Sequence, residues 1–439
     1  MQENHLKYSV LGTAMLLAVL LALYVIPEFD LGEFHFKRIN LLADVMKSDN
    51  SNLAKMDSSQ MVKPVFADTC KTGVTCVEDY SKDTSGLKNF LAALDSVKNR
   101  PVRIAWFADS YVEGDIMLDP LRDTLQAIYG GSGVGFVPIT SEVAGFRQTV
   151  IHTFDNITTY SVVGDKSPQH SMGPAGFTYV PQPGNRVHYS AIKRARLNSF
   201  PVAQLYYGNT EGAKLLLNEA TTVDLAAASA ISKLKLGSAL QSVTLQVEGN
   251  TDLYGVSFED AKGICVDNFS VRGNSGLGLG AVSEQMYKNF DAIHPYDLVV
   301  ISYGLNVANA KSKNYDWYTK GMSQNIGMMK RAFPHASILV VGCSDRGQKV
   351  DGVLQTMPGI KELIEAQRKM AADNQVCFYN LFEAMGGDST MVRWANAKPK
   401  MANGDYTHPT YYGGKKVAEI ITGTILYEKE KYERRKKSL

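Results

Sequence analysis

The apolar positions of this chain follow two different patterns. Short, mostly apolar runs, separated by helix-length segments, predict buried strands of a parallel sheet; they span residues 102–107, 263–268, 298–302, 337–341 and 376–380. Between the first two runs, short alternating segments separated by Gly, Pro and Asn dominate, which is typical of a β-sandwich. The pattern therefore predicts an α/β domain that is interrupted by an all-β module.

The N-terminal region contains one long apolar stretch. Tyr8 to Ile26 is uncharged and 19 residues long, so as a helix it spans roughly 28 Å, close to the ~30 Å hydrocarbon core of a bilayer. A cleaved signal peptide would have a more positive start, a shorter apolar core and small exit residues. We therefore expect an uncleaved single-span anchor. Lys7 favours an amino end that stays inside, so the rest of the chain lies outside the cytoplasm.

These patterns divide the chain into segments. After residues 1–7 and the anchor at 8–26, residues 27–88 are rich in Asp, Ser and Lys and predict a stalk. We expect the α/β domain in two parts, 89–144 and 263–427, with the β-sandwich module at 145–262 between them. Residues 428–439 are charged with mixed sign and predict a solvated helix end.

Composition excludes some classes of function. The net charge is only +2, and no basic stripe with interleaved aromatic residues is present, so nothing indicates nucleic-acid binding. The five cysteines match no zinc spacing. Cys70 and Cys76 are close enough to form a disulfide in an oxidising compartment, a pairing that the sequence leaves open. Cys265, Cys343 and Cys377 lie in apolar runs, where we expect buried small side chains.

The first apolar run ends in Ala108-Asp109-Ser110, the place where open α/β sheets bind their ligands. Ser110 is either a nucleophile or a helix N-cap residue. A serine nucleophile needs a base, and the base needs an orienting group. Near the end of the chain, Asp405-Tyr-Thr-His408 offers both from one loop, although a loop Asp that caps the last helix is the alternative.

An oxyanion would need hydrogen-bond donors from other strand ends. Gly273 can offer a backbone N–H, and Asn306 a side-chain amide, beside the N–H of Ser110. A flexible turn at Gly273 and a helix cap at Asn306 are the alternatives. The glycine-rich segment 129–138 lacks the spacing of a nucleotide loop and predicts a tight turn against the sheet.

Two further serine motifs bear on the fold and the chemistry. Ser232 and Lys235 match S-x-x-K, but they lie in an alternating strand pattern that argues against catalysis. The G-x-S-x-G elbow of α/β-hydrolases is absent from the sequence, which disfavours that fold.

Four short blocks stand in the order found in the SGNH (GDSL-type) hydrolase superfamily, and the chain resembles that superfamily through them: Ala108-Asp-Ser110, Arg272-Gly-Asn274, Tyr303-Gly-Leu-Asn306 and Asp405-Tyr-Thr-His408. Surrounding residues resemble its periplasmic peptidoglycan O-acetylesterase branch, namely Gly114-Asp115, 121–126, 133–136, Gln367-Arg368 and 384–387. That branch carries a β-rich, carbohydrate-module-like insert between the first two blocks. The resemblance implies a three-layer, flavodoxin-like α/β fold.

The resemblance also implies roles for individual residues. It makes Ser110 the nucleophile, His408 the base and Asp405 its orienter. The oxyanion hole is then formed by Ser110, Gly273 and Asn306, and Asp109 and Gly304 contact the substrate. No metal or organic cofactor is implied. Ala108 stands where the superfamily usually has Gly, and its methyl group could crowd the turn.

The sequence thus predicts a serine esterase that removes acetyl or another small acyl group from an envelope or extracellular glycan, such as O-acetylated peptidoglycan. We expect it in the inner membrane as a single-pass protein with its catalytic domain in the periplasm. An O-acyltransferase with the same triad, working beside a membrane acyltransferase, is one alternative. A non-catalytic glycan-binding protein is another.

Overall fold

The computed structural model describes Met15, residues 29–31, 34–36 and 70–438. The predicted anchor, Tyr8–Ile26, lies outside these residues except for Met15 and stays a prediction. Within the described ranges, no helix combines the length and the apolar composition needed to cross a bilayer. Residues 29–31 and 34–36 pair as a short antiparallel hairpin.

Among the described residues, strands are concentrated before residue 271, and the longest helix comes last and ends at residue 438. The strands are β1 (Phe29–Leu31), β2 (Phe34–Phe36), β3 (Glu78–Asp79), β4 (Pro101–Ala108), β5 (Gly135–Val137), β6 (Ile151–Ser161), β7 (Phe177–Ser190), β8 (Phe200–Gly208), β9 (Ala213–Leu217), β10 (Thr221–Leu225), β11 (Ser232–Leu240), β12 (Ser242–Glu248), β13 (Asp252–Glu259), β14 (Gly263–Ser270), β15 (Leu298–Ser302), β16 (Ser337–Val341), β17 (Gly347–Val350), β18 (Val353–Thr356) and β19 (Cys377–Tyr379). The α-helices are α1 (Lys88–Ala93), α2 (Leu118–Tyr129), α3 (Glu284–Ile293), α4 (Asp316–Ala332), α5 (Ile360–Asp373), α6 (Leu381–Met385), α7 (Thr390–Ala395) and α8 (Tyr411–Ser438).

A six-stranded sheet has the strand order β14-β4-β15-β16-β19-β3. Its first five strands are parallel, and numbered along the chain they lie in the order 2-1-3-4-5, the flavodoxin-like arrangement. The chain steps one way from β4 to β14 and the other way from β14 to β15. Because such crossovers are right-handed, α2 and α3 lie on opposite faces of the sheet. The predicted three-layer α/β fold is confirmed.

The second sheet is antiparallel and contains β5 to β13. Its nine strands are joined by hydrogen bonds in the order β10-β9-β12-β7-β13-β8-β11, with β5 on β13 and β6 on β7. The strands form two groups, β10-β9-β12-β7-β6 and β5-β13-β8-β11, which are joined through the single pair Leu253–Tyr179 and share one buried core. The predicted β-sandwich stays a prediction. The sheet also includes β5, which precedes the predicted boundary at residue 145. The boundaries of an inserted domain stay a prediction.

The glycine-rich segment ahead of β5 forms the tight turn that was predicted. Gly131 has φ +101°, and a Cβ there would lie 2.9 Å from the backbone of Ile264. A Cβ on Gly133 would overlap the carbonyl of Phe258. Glycine is required at both positions because the turn passes directly over the neighbouring backbone.

The predicted stalk and charged tail are both wrong in part. Glu78–Asp79, within the predicted stalk, pairs with β19 at the edge of the parallel sheet. Residues 428–438 continue α8, where Lys431 is only 9% exposed and Lys429 donates to the Leu91 carbonyl. The prediction for residues 428–438 used charge alone and was wrong in part, because long charged side chains can lie along an apolar surface. Cys70 and Cys76 form a disulfide, and the other three cysteines are buried.

A buried carboxylate, Asp115, links three parts of the fold. Its side chain is 1% exposed and accepts from Arg122 (3.1 Å) on α2 and Arg147 (2.8 Å) ahead of β6. Thr149 and Asn268, on the loop before β6 and on β14, donate to it at 2.9 Å. Burial opposes ionisation, but the two guanidinium groups outweigh burial and lower the pKa of Asp115.

Replacing Asp115 with Ala should therefore lower the free energy of unfolding by about 3–5 kcal/mol, because two buried cations lose their shared counterion. Urea unfolding with a constant m-value measures the loss. The control is Asp123→Ala on α2, which breaks an exposed pair with Arg196 in the loop between β7 and β8 and should cost about 1 kcal/mol or less. Equal losses in the two variants would contradict the role given to Asp115.

Candidate active site

The turn after β4 brings Ser110 to the carboxyl edge of the parallel sheet. The Asp109 carboxylate accepts the backbone N–H of Tyr111 at 3.0 Å, and its carbonyl accepts that of Val112 at 3.2 Å. These bonds close a tight turn that leaves Ser110 partly exposed. Ala108 is still part of β4 and is fully buried in the core, so its methyl group packs there and does not crowd the turn.

His408 and Asp405 meet Ser110 at this edge. Ser110 Oγ lies 2.9 Å from His408 Nε2, and His408 Nδ1 lies 2.7 Å from Asp405 Oδ2. The other carboxylate oxygen of Asp405 accepts the backbone N–H groups of Thr407 and His408, each at 3.0 Å. A carboxylate at Nδ1 holds the proton there, so Nε2 can accept the serine proton. The predicted triad is brought together.

The Asp405 carboxylate stays ionised because of these contacts. Partial burial works against ionisation, but the hydrogen bonds from the His408 ring and from two backbone N–H groups outweigh it and lower the pKa of Asp405. The loop is fixed from outside by a bond from the Gly347 N–H on β17 to the Tyr406 carbonyl, 2.8 Å long. The orientation of the base therefore depends on its own loop and on a neighbouring hairpin.

Two backbone N–H groups are available as oxyanion donors. Gly273 follows β14, is exposed, and has φ +75° with open space where a Cβ would be. Glycine is thus favoured there by the backbone conformation and not by crowding. Among residues 70–438, we find no acceptor for the N–H of Gly273 or for that of Ser110. Both were predicted as oxyanion donors.

Asn306 is next to the site but is already engaged. Its Nδ2 donates to Asp109 Oδ2 and to the Asn274 carbonyl, each at 3.0 Å. An amide nitrogen carries two hydrogens, so both have acceptors in this conformation. Asn306 can donate to an oxyanion only by sharing or releasing one of these bonds.

The structure does not place Asp109 and Gly304 where the sequence suggested. Both were predicted to contact the substrate, but Asp109 is 3% exposed and Gly304 is buried against Gln367 and Cys343. Asp109 holds the Tyr111 N–H and the Asn306 amide beneath the nucleophile. Its burial raises the pKa to about 6, despite these hydrogen bonds and the nearby His408.

Two supporting contacts were missed. Gln367 on α5 donates to the Tyr303 carbonyl (2.6 Å) and accepts from the Cys343 N–H (3.0 Å), which joins the loops after β15 and β16. Its place in the resemblance was the only signal for it. Arg272 pairs with Glu113 at 2.7 Å. This pair connects the loop that contains Gly273 to the nucleophile turn, residues 110–116. No sequence pattern indicated this pair.

Other polar residues lie elsewhere. Asp345, in the loop after β16, is fully buried and accepts from Thr356 and the Met391 N–H. His152 and His188 make hydrogen bonds within the antiparallel sheet. Within residues 70–438, no cluster of His, Cys, Asp or Glu is arranged to hold a metal ion.

Comparisons with known proteins agree with this geometry. Residues 246–416 match the model of the GDSL-like lipase/acylhydrolase family. The matched segment includes Gly273, Asn306, Asp405 and His408, whereas Ser110 precedes it. No curated protein matches the chain in sequence.

Solved structures add information about the fold. A peptidoglycan O-acetylesterase aligns with a TM-score of 0.68 and 22% identity, over 81% of this chain and 99% of that one. An acetyl xylan esterase from Geobacillus stearothermophilus aligns with a TM-score of 0.27 and 18% identity, over 37% and 73% of the two chains. A family two carbohydrate esterase from Cellvibrio japonicus gives 0.26 and 8%, over 64% and 99%. The chain therefore carries a GDSL-like, SGNH-type serine esterase domain, and its fold resembles that of peptidoglycan O-acetylesterase.

Proposed function

We propose that this protein is an esterase that removes acetyl or another small acyl group from an envelope or extracellular glycan, such as O-acetylated peptidoglycan. The observation that carries the proposal is the continuous hydrogen-bonded path from Ser110 through His408 to Asp405, beside two backbone N–H groups without acceptors. The fold likeness to a peptidoglycan O-acetylesterase supports the choice of glycan.

The residues account for each step of ester hydrolysis. His408 Nε2 takes the proton of Ser110, whose Oγ attacks the ester carbonyl, and the N–H groups of Ser110 and Gly273 bind the oxyanion. The C–O bond to the sugar then breaks, and His408 gives the proton to the departing sugar oxygen, which leaves as a hydroxyl. Water, activated by His408, hydrolyses the acyl-enzyme and regenerates Ser110.

Water is favoured over a sugar hydroxyl as the acyl acceptor. The His408 side chain is 33% exposed and that of Asp405 is 50% exposed. Transfer to another acceptor requires that water be kept out, and an open triad does not do this. The transferase alternative, with its membrane acyltransferase partner, is correspondingly less favoured.

We also propose that the catalytic domain works outside the cytoplasm, anchored to the inner membrane by residues 8–26. The Cys70–Cys76 disulfide supports an oxidising compartment such as the periplasm.

Replacing either Ser110 or His408 with Ala should lower kcat/KM for 4-nitrophenyl acetate by at least about 10³-fold, because each removes the shared proton path. The control is His188→Ala, whose ring bonds only to Thr244 and Ser190 in the antiparallel sheet and which should keep wild-type turnover. Near wild-type rates in both triad variants would refute the esterase assignment and favour a glycan-binding protein.

Asn306→Ala should lower kcat by about 10²–10³-fold if the amide donates to the oxyanion during turnover. The measurement is steady-state hydrolysis of the same ester, with KM determined separately. A change in KM alone, or no change, would mean that Asn306 does not donate to the oxyanion and only holds Asp109 and Asn274 in place.

The raised pKa of Asp109 makes the unfolding free energy depend on pH. Because the fold disfavours the ionised form, this carboxyl lowers stability as the pH rises from about 4 to about 6, by up to ~3 kcal/mol for about two pKa units. Asp109→Asn cannot ionise, so its unfolding free energy relative to wild type should rise over this range. Chemical denaturation at several pH values tests this. A pH-independent difference between Asp109→Asn and wild type would contradict the prediction.

A further inference from the structure

Two large aromatic side chains beside the nucleophile turn are left in solvent. Phe146 is 60% exposed and Tyr412 is 57% exposed. Single exposed apolar residues are common on protein surfaces and need no explanation. These two differ because each stands on a segment that packs directly against residues 110–116, the turn that carries Ser110.

Phe146 is held in place by its loop. The next residue, Arg147, is buried and pairs with Asp115 at 2.8 Å, while the Phe146 N–H donates to the Val143 carbonyl at 2.9 Å. The ring lies over Gly114, where a Cβ would come within 3.0 Å of Phe146 Cδ1. The buried ion pair therefore fixes the loop while the ring stays exposed over Gly114, which lies four residues and at most about 14 Å of chain from Ser110.

Tyr412 approaches the same turn from the side of the base. It lies four residues after His408, in the first turn of α8. Two residues further on, Gly414 packs so closely on the backbone of Ile116 that a Cβ there would overlap the Ile116 carbonyl. The start of α8 is thus fixed against the nucleophile turn, and Tyr412 stands on it in solvent.

We propose that Phe146 and Tyr412 form an aromatic platform that stacks against the sugar rings on either side of the acyl-bearing sugar. The proposal rests on the proposed function and specifies its substrate as an oligomeric or polymeric glycan. The face of a pyranose ring presents C–H groups, and the face of an aromatic ring carries negative charge that attracts them. A free monosaccharide ester would occupy the triad without reaching the platform.

The test compares two substrates with the full chain. Phe146→Ala should raise KM for chemically O-acetylated chitotetraose roughly tenfold, the effect expected for one lost ring contact, with little change in kcat. Its kcat/KM for 4-nitrophenyl acetate should equal that of wild type, because this ester does not span the platform. Tyr412→Ala should behave in the same way.

Matched variants separate stacking from other effects. Phe146→Tyr keeps a ring and should restore the wild-type KM, whereas Phe146→Leu keeps apolar surface without a ring and should resemble Phe146→Ala. Ile128→Ala removes a side chain that is 48% exposed near the far end of α2 and should change nothing. Thermal melts matching wild type verify that each variant folds.

The outcomes distinguish the platform from the esterase itself. An unchanged KM for the tetramer in Phe146→Ala and Tyr412→Ala would overturn the platform while leaving the esterase intact. Equal losses on both substrates would overturn it as well, since Phe146 would then support the turn geometry. Wild-type protein that hydrolyses neither substrate would refute the proposed function. Wild-type protein that cleaves only 4-nitrophenyl acetate would refute the glycan platform and leave only the serine esterase chemistry.

Discussion

The hydrogen bond between Ser110 and His408 is the contact on which the site depends, and it joins residues 298 positions apart in the chain. No local preference can produce it. It forms because β4 occupies an inner position of the parallel sheet, beside the point where the strand order reverses, and because the loop before α8 reaches the same edge. The flavodoxin-like strand order is therefore the structural condition for the chemistry.

Three carboxylates around this contact differ according to their environment. Asp115 is buried between two guanidinium groups and stays ionised, Asp405 is half exposed and oriented by backbone N–H groups, and Asp109 is buried with no cation bonded to it. Burial without a cation destabilises the charge on Asp109 and raises its pKa to about 6, beside the nucleophile. The buried Asp109 carboxylate thus lowers the stability of the fold, while it holds the Tyr111 N–H and the Asn306 amide in position.

The sequence predicted the elements better than their connections. Buried apolar runs identify the parallel strands, and four strand-end blocks identify Ser110, Gly273, Asn306 and the Asp405–His408 loop. The pattern could not show that Asp109 points inward, since both a buried and an exposed carboxylate fit a strand end. It could not find Gln367 or the Arg272–Glu113 pair, because their partners are distant in sequence. Mixed charge concealed the packed surface of residues 428–438.

The antiparallel sheet is joined to the α/β core by buried polar contacts. His294, at the end of α3, lies between Asp267 on β14 (3.0 Å) and Tyr206 on β8 (2.8 Å), and all three side chains are fully buried. Arg103 on β4 also donates to Glu259 on β13. Removing the sheet would take Glu259 from Arg103, Tyr206 from His294 and the Phe136 N–H from Asp267, at a cost of several kcal/mol.

The sheet also contributes to the site. The segment between β5 and β6 supplies Arg147, which secures the nucleophile turn through Asp115, and the loop after β7 supplies Arg194, which bonds to Asp119 on α2. An independent glycan-binding module on a flexible link would make no such contacts. The β-rich segment is therefore a structural part of the catalytic unit, and loss of the Arg147–Asp115 pair would act directly on the geometry around Ser110.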